Sequence, residues 1–259
     1  MSRERAGRHD RRERSSHRVF VVTGKHAVLE AIAGGRAREV VVDAGARADD
    51  ILAAAGAAGV PVRSARGVAH RPARGDREGA DGVSGRVELL PELSERDIAQ
   101  RSFAEDAIVV VLDGITDPQN LGAAARSAEA AGAALLVTRQ RRAAPVTPAA
   151  VRASAGALLH LPLARVANIP RALERLQAAG FTAIGLDERA PGTIYDAPAP
   201  EGRIALVVGA EDRGLSRLVA ERCDELRALP MRGRVVSLNA SAALSAALFG
   251  FVLPARGGR

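Results

Sequence analysis

The feature that most constrains this chain is residues 113–132, DGITDPQNLGAAARSAEAAG, set between two apolar runs, AIVVVL at 107–112 and AALLVT at 133–138. Short uninterrupted runs of this kind read as strands buried on both faces. Parallel strands need a crossover connection, and an alanine-rich helix supplies one. The block therefore predicts strand, polar loop, helix and strand, the repeating unit of an α/β fold with a parallel sheet. The loop carries Asp117, Pro118 and Asn120, and the helix carries Arg126. In open α/β sheets, ligands bind beyond the carboxyl ends of the strands, where this loop would lie.

The alternation continues downstream. Further strands are expected at 181–186, 204–209 and 225–230, and helices at 169–179, 215–222 and 240–252, which defines a domain over 107–254. Upstream, VFVVTG, REVVVDA and VPVRSA read as strands, and KHAVLEAIAG and ADDILAAAGAAG as helices. They predict a smaller α/β domain over 19–92, joined to the larger one by a charged linker or connecting helix at 93–106. Within the small domain, residues 63–86 read as a mobile basic loop bearing Arg63, Arg66, Arg71, Arg74, Arg77 and Arg86. Phosphate contact and simple flexibility both fit that composition. Residues 1–18 hold seven arginines against three acids with no apolar periodicity, which predicts a disordered basic tail.

Charge and composition narrow the function classes. The net charge of +7 and the pI of about 11.0 favour a polyanionic partner. A compositional bias toward arginine explains the same charge, since Lys25 is the only lysine. Cys223 is the only cysteine, so no internal disulfide can form, as expected in a reducing cytosol. No apolar run approaches the roughly 18–20 residues of a membrane span. A soluble, cytoplasmic protein is expected. The five histidines show no metal-ligand spacing, and no G-x-S-x-G nucleophile elbow occurs. His160 and Cys223 both read as structural residues.

Three polar clusters with glycine or serine follow strand patterns. The first is Asn120-x-Gly122-x-x-x-Arg126. Asn120 is placed to cap the helix, and arginine can grip phosphate with two parallel hydrogen bonds. A capped helix with a surface arginine fits equally. The second runs from Leu206 through Gly209, Glu211 and Gly214 to Leu215; its glycines would let a ligand approach the backbone closely. An ordinary strand-to-helix turn fits it as well. The third runs from Leu229 and Met231 to Ser237, Leu238, Asn239 and Ser241, with Ser237 or Asn239 capping the last helix.

Together the clusters resemble the three motifs of the SpoU (TrmH) family of S-adenosylmethionine-dependent RNA 2′-O-ribose methyltransferases. DPQNLGAAARSAEAAGA is similar to the first motif, LVVGAEDRGLS to the second and LPMRGRVVSLNASAA to the third, in that order. The layout looks most like the bacterial 23S rRNA guanosine 2′-O-methyltransferases. The resemblance implies a SPOUT-type α/β domain with a trefoil knot, preceded by a small L30e-like RNA-binding domain. It also implies a homodimer with the methyl donor bound in the knot; no metal is expected from the histidine spacing. Carried over by motif position, Gly209, Leu229, Met231 and Leu238 would hold the donor. Asn120, Arg126, Glu211, Ser237 and Asn239 would form the catalytic neighbourhood.

The chain departs from the family pattern at three places. The third motif usually reads N-V-S-V-A and here reads Asn239-Ala-Ser241-Ala-Ala. Gly250 stands where an acid is common, and the small domain lacks a His-Gln-Gly signature. The expected reaction is an in-line displacement onto a ribose hydroxyl, with Arg126 clamping the substrate phosphate and stabilising the emerging alkoxide. Two alternatives remain: the same chemistry on tRNA or on an antibiotic-resistance site in rRNA, and a non-catalytic RNA-binding or ribosome-assembly factor.

Overall fold

The computed structural model describes residues 19–65, 82–234 and 237–256. The expected tail at 1–18 and most of the expected basic loop lie outside the described residues.

The larger domain is a six-stranded sheet between two layers of helices. Its strands are β5 (Ile108–Asp113), β6 (Leu135–Arg139), β7 (Leu163–Val166), β8 (Phe181–Leu186), β9 (Arg203–Gly209) and β10 (Glu225–Arg227). They lie in the order β10-β8-β9-β5-β6-β7, and every neighbouring pair is parallel. In β5, IVVVLD, all six residues are buried. Ile108, Val110 and Leu112 face one apolar cluster, and Val109 and Val111 the other. A strand covered on both faces has no polar positions to alternate, which is why it reads as a continuous apolar run.

Helices α4 (Pro118–Ala130) and α8 (Ala240–Ala247) cover the first face through residues such as Leu121, Ala124 and Leu244. Helices α6 (Ile169–Ala178) and α7 (Arg217–Arg222) cover the second through Leu173, Leu176 and Val219. A short helix α5 (Pro148–Ala153) packs on α4. The contact is close because α4 carries Gly122: a Cβ there would stand 2.4 Å from the Ala150 carbonyl oxygen. The expected last helix at 240–252 is α-helical only to Ala247 and widens to a π-helical turn over Leu248–Val252.

The smaller domain is a four-stranded sheet, β1 (Val19–Thr23), β4 (Val83–Glu88), β2 (Ala37–Asp43) and β3 (Val62–Ala65), in that order. Helices α1 (Lys25–Ala33) and α2 (Asp49–Ala57) bury Val28, Ile32 and Ile51 against it. The expected loop at 63–86 is corrected at both ends. Arg63 lies in β3 and Arg86 in β4, and both form ion pairs with Glu39 of β2. β4 carries no apolar run, because only alternate residues (Val83, Gly85, Val87) face the core; its central place between β1 and β2 makes it a strand.

The 93–106 segment holds a helix, α3 (Glu95–Gln100), closed by a reciprocal Ser94–Asp97 capping box. Ile98, fully buried, joins it to the core of the larger domain. The segment is thus docked structure. The Ser94 hydrogen bonds hold the Asp97 carboxyl below the usual carboxylate range. The two domains share one continuous apolar cluster. Their seam includes a contact between Glu30 of α1 and His160, whose Nε2 lies 3.1 Å from Glu30 Oε2. His160 therefore has a structural partner.

Candidate active site

A cleft of about 340 Å³ opens beyond the carboxyl ends of β8, β9 and β10. Gly209, Leu229, Met231 and Leu238, the residues expected to hold a donor, all line it, as do Glu211 and Ser237. Met231 and Leu238 are 39% and 40% exposed. Exposed apolar surface inside a concave site is what a flat aromatic ligand requires. Asp187, Glu188 and Arg189, from the end of β8, complete one side of the cleft. Sequence reasoning missed these three, although D-E-R directly after a buried run marks the carboxyl end of a strand. The Asp187 carboxylate accepts from the backbone N–H, Nε and Nη2 of Arg189 at 2.8, 3.0 and 2.8 Å. Those hydrogen bonds hold its pKa below the usual carboxylate range.

Gly209 is also required to be glycine for packing within the chain. A Cβ at this position would stand 2.0 Å from the carbonyl carbon of Gly214, so the space is filled by the chain's own loop. Gly214 N–H donates to the Ala210 carbonyl at 2.7 Å and closes that loop at its neck. Glu211 stands in the closed turn.

The three sequence clusters meet at Asn239. Its side-chain Oδ1 accepts from Ser241 N and Oγ at 2.9 and 2.6 Å and from Ala242 N at 3.4 Å, capping α8. With the oxygen so occupied, the Nδ2 group points away from the helix. It donates to Asn120 Oδ1 at 2.8 Å and to Glu211 Oε2 at 3.2 Å. Of the two candidate caps for α8, Asn239 is the one used.

Asn120 is not the cap of α4. Asp117 caps that helix by accepting from Gln119 N–H, and Pro118 occupies the first turn, where its missing N–H costs nothing. Asn120 is thereby freed to face Asn239.

Arg126 stands apart. Six residues beyond Asn120, it lies about 240° further round α4. It is exposed and does not line the cleft. Among the described residues no hydrogen bond or ion pair restrains it. Cys223 is half-buried, and burial foremost pushes its thiol up to about 12, which makes it unreactive. Among the described residues no group of three or more His, Cys, Asp or Glu could hold a metal ion, and no helix is long and apolar enough to cross a membrane.

Residues 107–249 match the SpoU rRNA Methylase family. The chain belongs to that family. It is 40% identical over 179 residues to the 23S rRNA (guanosine-2′-O-)-methyltransferase RlmB of Haemophilus influenzae, a match covering 68% of this chain and 72% of the relative. The RlmB of Escherichia coli is 39% identical over 169 residues, 65% of this chain and 69% of the relative. Among solved structures, the SpoU methyltransferase AviRb from Streptomyces viridochromogenes, crystallised in complex with the cofactor AdoMet, superposes with a TM-score of 0.75 at 27% identity. That superposition covers 93% of this chain and 92% of AviRb.

Proposed function

We propose that this protein methylates a ribose 2′-hydroxyl of RNA, with S-adenosylmethionine as donor and a guanosine of 23S rRNA as target. The observation that carries the reading is the convergence of Asn120, Glu211 and Asn239 from three separate segments beside a cleft lined by Met231 and Leu238. The residues suit the donor: apolar side chains for an adenine ring, and carboxylates that favour a sulfonium cation. When bound, the donor supplies a methyl group already activated as a sulfonium. The chain's task is then to hold the acceptor hydroxyl in line and stabilise its developing charge.

Asn239, with its amide fixed by the α8 cap, keeps Glu211 and Asn120 in register. Ser237 stands on the cleft wall beside them. Gly209, Leu229, Met231 and Leu238 hold the donor. A guanidinium donates paired hydrogen bonds to phosphate, so Arg126, exposed on α4 outside the cleft, clamps the substrate phosphate. Its exposure and lack of partners leave it free for that contact.

The same reading extends to the assembly. The protein works in the cytoplasm as a homodimer, its larger domain threads through a trefoil knot, and the L30e-like domain at 19–92 contributes to RNA binding.

Ribose-methylation mapping of total RNA from cells with and without the gene tests the reading. Loss of one 23S guanosine methylation is expected; loss at a tRNA position would move the target. A protein that does not bind S-adenosylmethionine in calorimetry would instead be a non-catalytic RNA-binding factor. Arg126→Ala should lower methyl transfer roughly 10²-fold with donor affinity unchanged. Full transfer by that variant would remove Arg126 from the site.

A further inference from the structure

Asp113, the last residue of β5, is a carboxylate 2% exposed at the end of a central strand, and it does not line the cleft. Its Oδ1 accepts from Arg139 Nη2 at 2.5 Å. Its Oδ2 accepts from the backbone N–H of Ser216 at 2.8 Å. The Asp113 carboxylate is buried while the Arg139 side chain is 36% exposed, so desolvation of the carboxylate offsets part of the attraction. What Asp113 alone supplies is a fixed acceptor for Ser216 N–H.

That N–H ends the loop that carries Glu211. The loop leaves β9 at Gly209, closes on itself through Gly214 N–H to Ala210 O, and buries Leu215 in the second apolar cluster. Ser216 begins α7 with no side-chain cap of its own. Arg139, at the end of β6, is held in turn by Arg165, whose guanidinium donates to the Arg139 and Ala144 carbonyls and pairs with Glu92. The strand ends of β5 and β6 therefore anchor the far side of the turn that presents Glu211 to Asn239.

We propose that Asp113 is a positioning residue for methyl transfer: it sets the 210–216 loop, and through it Glu211, by holding the Ser216 amide, while Arg139 offsets its buried charge. The inference rests on the proposed role of Glu211 and adds two residues, Asp113 and Arg139, to the apparatus that orients it.

Two variants test the anchor. Asp113→Asn removes the charge. Ser216→Pro removes only the backbone donor and the hydroxyl, and Ser216 already sits at φ −65°, where proline is unstrained. In the free protein, both should speed hydrogen exchange of the Gly214 amide by roughly tenfold or more, with core amides of β5 and β9 unchanged for Ser216→Pro. Methyl transfer should fall by roughly 10–100-fold, the scale of a small misplacement of a catalytic group. A loss acting only through Glu211 should largely vanish when Ser216→Pro is made in a Glu211→Gln background. Equal losses in both backgrounds would mark a merely structural role and overturn the proposal, as would unchanged exchange at 210–216. Ser216→Ala keeps the N–H; a loss as large as that of Ser216→Pro would assign the effect to the hydroxyl and also overturn it. If the wild-type protein transfers no methyl group, the functional reading fails, and the exchange measurement still decides whether Asp113 anchors the loop.

Discussion

The six-stranded sheet is covered by helices on both faces, whereas in the four-stranded sheet buried and exposed positions alternate along the strands. In β5 all six residues are buried; in β1 only Val22 is, while Val19 and Val21 stand 42% and 43% exposed. The polar groups of the larger sheet are consequently driven to its carboxyl edge, where Asp113 accepts from Arg139 and Ser216, and Glu211 from Asn239. In the smaller sheet, polar groups spread over a face, as in the Glu39 pairs with Arg63 and Arg86. A doubly covered sheet concentrates its polar groups at its rim; a singly covered one spreads them over a broad surface.

This contrast is most directly broken by a matched pair of substitutions. Val110→Asp, in β5, buries an unpaired charge and should cost about 4 kcal/mol or more, enough to abolish cooperative unfolding in a calorimeter. Val21→Asp, in β1, should stay within about 0.5 kcal/mol of the parent. Comparable losses would mean that the outer face of β1 is covered in solution.

A smaller effect should separate the rim from the surface. Asn239→Ala removes the joint between all three motifs and should lower methyl transfer roughly 10²-fold. Its cost in stability should be only about 1 kcal/mol, that of a lost helix cap. Activity assays beside thermal melts would reveal whether the two separate in this way; parallel losses would reduce Asn239 to a capping residue.

The smallest expected effect concerns pH. The pKa of Asp187 is depressed by Arg189, so its contribution to stability is present above the ordinary carboxylate value and is lost as pH falls through the lower value in the folded protein. Asp187→Asn should therefore flatten the melting-temperature profile on the acid side, below about pH 4, and leave its slope near neutrality unchanged. An altered slope near neutrality would place the coupled group elsewhere.

Strands buried on both faces were legible as apolar runs: β8 falls at its expected limits of 181–186, and β5, β6 and β9 lie within a residue or two of theirs. β4 was not, because only its alternate residues face the core, and β7 was not, because it has only four residues. The three motifs marked the site without its wiring. Asn120 looked like a helix cap until Asp117 proved to be the one used, and the packing of Gly214 against Gly209 had no signal in the sequence.

By itself, then, the sequence determined the α/β class and the family, and it named six of the residues that line the cleft (Gly209, Glu211, Leu229, Met231, Ser237 and Leu238), since local apolar patterning and motif order are carried along the chain. Only the tertiary structure decided which polar atoms meet. The bonds from Asn239 to Asn120 and Glu211, and from Asp113 to Ser216, join groups 119, 28 and 103 residues apart. No local periodicity encodes a partner at that separation; it is set by the order in which parallel strands pack and bring their carboxyl ends together.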